Sequence, residues 1–172
     1  FPAGHLWVRP NLDISTEEFK VQKITEILNS NPDARIILIG DNGERDVTVY
    51  NRVKNNARLS ERVDLVYIHD LYPQPIGEKL ASGQTPYLTA ADLALDLMNN
   101  GFLSETSTSV IFNLVAQGLA SDYDGIRSRS YPKFGTITIE KLKRLEESAS
   151  PLSNLEMRRT LRSILHSLQS RP

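Results

Sequence analysis

The residues best suited to chemistry lie in one stretch, Leu38-Ile39-Gly40-Asp41-Asn42-Gly43-Glu44-Arg45-Asp46. Asp41 and Asp46 put two hard carboxylates into one short loop behind an apolar run. Such a pair suits Mg²⁺, which prefers oxygen ligands and commonly keeps several waters. Gly40 and Gly43 let the backbone turn sharply and approach a ligand closely. The same residues suit a plain strand-to-helix turn with Asp46 as its N-cap, and spacing alone leaves both readings open. Elsewhere the chemical inventory is sparse. Cysteine is absent, which excludes a thiolate nucleophile, a disulfide framework and a zinc-thiolate site. His5, His69 and His166 share no metal-ligand spacing. There is no Gly-x-Ser-x-Gly elbow and no phosphate-binding P-loop.

The loop needs elements to position it, and the pattern supplies them. His5 to Arg9 is a short strand candidate, with Trp7 read as a core side chain. Ser15-Thr16-Glu17-Glu18 gives hydroxyl caps followed by acids, which predicts a helix running to about Asn29. Asn31-Pro32-Asp33 is a turn. Arg35 to Ile39 is apolar after its first residue, as expected of a strand covered on both faces. A helix from about Asp46 to Ala57 and a strand from Asp64 to His69 follow. This β-α-β-α-β order predicts an α/β fold with a parallel sheet. Beyond Tyr72-Pro73-Gln74-Pro75 the strand signals fade. Thr89-x-x-Asp92 caps a helix over about 90–99, stopped by Asn100-Gly101. Further helices are expected over about 104–120 and 139–147, around a loop at Pro132-Lys133-Phe134-Gly135. A last helix is capped by Ser153 and Glu156, with Met157, Leu161, Ile164, Leu165 and Leu168 near one face. The expected division is therefore an α/β part, residues 1–75, and a mostly helical extension, residues 76–172.

The chain has 172 residues, with 20 Lys+Arg against 21 Asp+Glu. That balance argues against a nucleic-acid partner, which calls for a basic excess. No apolar run reaches the roughly 18 residues of a membrane span. The start, Phe1-Pro2-Ala3-Gly4-His5, has neither an initiator Met nor a signal-peptide pattern, and reads as the interior of a longer chain. The cellular compartment stays open.

Several segments, in order, resemble one family. Phe19-Lys20, the run Ile36 to Asp46, and Val49-Tyr50 look like the phosphatidate phosphatase catalytic-domain family, the yeast actin-patch-associated type, of the haloacid-dehalogenase-like superfamily. Phe1-Pro2-x-Gly4-His5-Leu6 with Arg9, and Val66-Tyr67-Ile68-His69-Asp70, resemble it too. The resemblance covers residues 1–75 and implies a Rossmann-like parallel sheet of the haloacid-dehalogenase type. It implies a Mg²⁺-dependent phosphatase acting through an aspartyl-phosphate. Lys20 then matches the lysine that neutralises nucleophile and phosphate. Asp41 matches a catalytic metal ligand, and Asp46 a second acid, as ligand or behind it. Asn42 stands where serine is usual, and His69, where arginine is usual, is assigned no role.

The family's nucleophile motif, Asp-x-Asp-x-Thr after a strand, is expected upstream of residue 1. The single Asp-x-Asp, Asp122-Tyr123-Asp124, follows a helical segment and is read as a loop. The superfamily's strand order, 5-4-1-2-3, makes residues 5–9 strand three, 35–39 strand four and 64–69 strand five. Strands four and five should pair, and the missing strands belong between four and three. The expected partners are a phosphorylated substrate, with a lipid phosphate as the class the resemblance suggests, and the amino-terminal half of the same protein. Basic side chains outnumber acidic ones over residues 141–172, a bias that would suit peripheral contact with an anionic membrane; a solvated helix face accounts for it as well. The alternative function is a non-catalytic interaction module built on the same fold.

Overall fold

The computed structural model describes residues 4–9, 13–72, 76–121 and 155–169. They form two units, residues 1–86 and 87–172, each compact in itself.

The first unit is a Rossmann-like α/β arrangement. Helix α1 (Thr16–Ser30) leads into β1 (Ile36–Asp41), α2 (Asp46–Lys54), a 3₁₀ turn (Ser60–Arg62), β2 (Val63–His69) and β3 (Thr85–Tyr87). The sheet order is β1-β2-β3. β1 and β2 run parallel, with Leu38 opposite Val66 and Asp41 opposite His69. This is the pairing expected of residues 35–39 with 64–69. The helix α2 that joins them packs on α1 and on both strands. Their shared core includes Leu28, Leu38, Val49, Val53, Val66 and Ile68, all buried. Each such side chain contributes about 1.5–3 kcal/mol by leaving water.

α1 starts where its capping chemistry says. The Glu18 N–H donates to the Ser15 hydroxyl at 3.1 Å, and the Glu18 carboxylate accepts from the Ser15 N–H at 3.4 Å. Its end is closed by Arg62, whose guanidinium donates to the carbonyls of Leu28 (2.8 Å), Ala34 and Asn31. One side chain from a later element thus satisfies carbonyls that a helix end leaves unpaired.

Five expectations are corrected. Residues 5–9 form no strand, and Leu6 is 88% and Val8 75% exposed. Strand propensity is worth little without a neighbour to take up the backbone N–H and C=O groups. Trp7 is 44% exposed rather than in the core, lying 5.5 Å from the His5 ring. β1 is not covered on both faces, because Ile39 is 46% exposed. α2 stops at Lys54, three residues short of Ala57, where the Asn55 side chain turns back onto the Asn51 carbonyl at 2.9 Å. β3 was not anticipated: three residues around Pro86 carry too little pattern to read.

The second unit is helical in its described part: α3 (Ala90–Asn99), α4 (Glu105–Ser121) and α5 (Leu155–Gln169). Thr89 and Asp92 form the anticipated capping box. Gly101 ends α3 in the left-handed region, at φ 79°, with Phe102 N–H returning to the Leu97 carbonyl at 2.8 Å. Met157, Leu161 and Ile164 line one face of α5 and close a core with Leu95 and Phe112. No helix among the described residues is long and apolar enough to cross a membrane. The loop at 132–135, the helix at 139–147, Ser153, and Asp122 and Asp124 lie outside the described residues.

Candidate active site

Asp41 is the last residue of β1, at the carboxyl end of a parallel pair, where α/β sheets place ligands. Its Oδ1 accepts from the N–H groups of Gly43 (2.7 Å) and Glu44 (3.1 Å). This Asx-type turn fixes the carboxylate and bends the chain toward α2. Oδ2 takes part in neither bond.

Asp46 is buried, at 7% exposure, and opens α2 as its first helical residue. It is not the N-cap: Arg45 holds that position in the left-handed region, at φ 68°. Asp46 Oδ2 accepts from the Asp41 N–H at 3.1 Å. Gly40 makes that approach possible, since a Cβ there would stand 2.4 Å from Asp46 Oδ2. The other oxygen, Oδ1, accepts from Lys20 Nζ at 2.6 Å.

Lys20 reaches this carboxylate from α1. Its ammonium also donates to the Glu44 carbonyl at 2.9 Å. The start of α1 is itself anchored, because Arg9 Nη1 donates to the Ile14 carbonyl (3.1 Å) and to Thr16 Oγ1 (3.2 Å). A cation held by the loop that also carries Asp41 can balance charge on an anionic ligand there. The fold therefore brings all three sequence-selected residues, Lys20, Asp41 and Asp46, into one connected network through Asp46.

The donor set bears on Mg²⁺. Among the described residues no group of three or more His, Asp or Glu side chains is placed to hold a metal. Asp46 has each oxygen engaged, one by Lys20 and one by Asp41 N–H. Asp41 Oδ2 fits as a single carboxylate ligand, and Mg²⁺ is commonly held by one or two carboxylates with several waters.

Sequence reasoning assigned no role in the site to two neighbours. Asn42 is 1% exposed and hydrogen-bonded on all sides. Glu78 accepts from Thr48 N–H and Thr48 Oγ1, each at 3.2 Å, and from Arg45 Nη1 at 3.1 Å. Asn in an Asp-Asn-Gly loop is a readable turn signal. Nothing local ties Glu78 to a loop some thirty residues away.

Residues 1–70 match the family model described as phosphatidate phosphatase APP1, catalytic domain. No curated protein matches the chain, and no solved structure does. The matching family is the one that the sequence segments resemble, and the match ends just past β2. At the coarse level it supports a hydrolase of the phosphatase type.

Proposed function

We propose that this chain supplies the charge-handling side of a Mg²⁺-dependent phosphatase acting on a phosphoric monoester, with a lipid phosphate as the substrate class. The observation that carries the proposal is the network from Lys20 through Asp46 to Asp41 at the carboxyl end of β1. Asp41 would hold the metal through Oδ2, and Lys20 would offset phosphate charge. The metal, when bound, would polarise the phosphoryl oxygens. Asp46 is better placed to position its two partners than to bind metal, because both its oxygens are in use.

The sequence contains no apolar strand followed by Asp-x-Asp-x-Thr. The proposal therefore assigns the nucleophile of a haloacid-dehalogenase-type mechanism, and the strands that would flank β1, to an amino-terminal part of the same protein. Among the described residues β1 has β2 as its one strand neighbour. That edge leaves room for such a strand.

The test measures phosphate release by the complete protein, with and without Mg²⁺, from phosphatidate vesicles and from a soluble phosphomonoester. Mg²⁺-dependent release that Asp41→Ala removes from a folded protein supports the reading. Release that Asp41→Ala leaves intact takes Asp41 out of the site.

A further inference from the structure

We infer that Asn42 is a positioning residue, which holds the 41–46 loop so that Asp41 presents its carboxylate in a fixed direction. Every donor and acceptor of this buried side chain is used. Nδ2 donates to Asp70 Oδ1 at 2.9 Å and to the Tyr72 carbonyl at 2.8 Å. Oδ1 accepts from the N–H groups of Leu71 and Tyr72, each at 3.0 Å. Two N–H groups facing one end and two oxygens facing the other leave the amide a single orientation. The backbone is held as well. Asn42 N–H donates to the His69 carbonyl at 3.1 Å, and the Asn42 carbonyl accepts from Glu78 N–H at 2.7 Å.

These bonds reach the site by two routes. Tyr72, fixed at both its N–H and its carbonyl, lays its ring against Gly43, where a Cβ would stand 2.5 Å from Cε2. Gly43 in turn donates to Asp41 Oδ1 at 2.7 Å. On the other side Glu78 is brought to the start of α2, the helix that opens with Asp46. Gly77 lets that segment close in, since a Cβ there would stand 2.4 Å from Asn42 Nδ2. Only an amide offers two donors and two lone pairs in this geometry. A serine would supply one donor, and an aspartate none when ionised.

The use assigned to Asp41 rests on the phosphatase reading, whereas the hold on its loop is testable without it. The first readout is amide hydrogen exchange of the full chain, followed residue by residue. Asn42→Ala should lose about tenfold in protection at Gly43 and Glu44 while the amides of β1 and β2 keep theirs. If Asn42→Ala fails to fold, Asn42→Ser gives the same reading, because its hydroxyl adds no charge and supplies one donor where the amide supplies two. Unchanged protection at Gly43 and Glu44, or a loss spread evenly over β1 and β2, overturns the proposal. The second readout is Mg²⁺ affinity by calorimetry, together with kcat and KM, in the complete protein. Asn42→Ala should weaken Mg²⁺ binding about 10–100-fold, the range for partners that orient a metal ligand, and lower kcat more than it raises KM. Wild-type Mg²⁺ affinity and kcat in the variant overturn it. A wild-type protein with no phosphatase activity sinks the phosphatase reading, and the exchange data then still decide the role of Asn42.

Discussion

At the scale of single residues, the site rests on charge held where water is scarce. Asp46 has little solvent to stabilise it and depends on Lys20 and the Asp41 N–H. Removing one partner of a buried polar group costs its desolvation, about 1–3 kcal/mol. Lys20→Met should lower stability by that amount in urea titrations and also suppress phosphate release. Lys20→Arg should restore stability better than turnover, since a planar guanidinium does not replace a compact ammonium. Gly40→Ala tests the same contact from the backbone side. Its methyl would meet the Asp46 carboxylate, so it should cost activity through displacement of Asp46, visible as loss of exchange protection at the Asp41 amide.

At the scale of elements, two arginine contacts should show in stability. Arg62 donates to three carbonyls at and beyond the end of α1. Arg62→Ala should therefore destabilise the first unit by about 1.5–3 kcal/mol, the range for charged hydrogen bonds. Arg35 donates to Asp64 beside the first residues of β1 and β2, and this bond holds the Asp64 carboxyl below its ordinary value. A lowered folded-state value means the contribution is complete above the ordinary carboxylate range. It is lost as the pH falls through the folded value. Asp64→Asn should accordingly flatten the acid limb of the urea midpoint below about pH 4, and added salt should shrink the difference from wild type.

What was legible in these elements was what local chemistry writes. The hydroxyl caps and acids at Ser15 to Glu18, the capping box at Thr89, the apolar runs of β1 and β2, and Gly101 were each readable within a few residues. Residues 5–9 read as a strand and are not one, because pairing is supplied by a neighbour and not by propensity. Asp41, Asp46 and Lys20 could be selected from the sequence through their resemblance to a family. The links from Asn42 to Tyr72 and from Glu78 to Thr48 could not, because each joins segments roughly thirty residues apart without a periodic signature.

At the scale of the whole molecule, the two units call for separate accounts. The first holds the candidate site and the family match, and β1 keeps an edge free of strand neighbours among the described residues. The second is held by α5 laying Met157, Leu161 and Ile164 against Phe112. Phe112 is fully buried, so Phe112→Ala should cost that unit about 3–5 kcal/mol, read as earlier loss of exchange protection in α3 and α4. The central claim, that the Asp41 loop serves phosphate hydrolysis, is tested most directly in the complete protein. The measurement compares Mg²⁺-dependent phosphate release by wild type and Asp41→Asn, each shown to be folded by circular dichroism. Loss of Mg²⁺-assisted charge stabilisation predicts a fall of roughly 10²-fold or more in kcat. Equal release by a folded Asp41→Asn protein would contradict it.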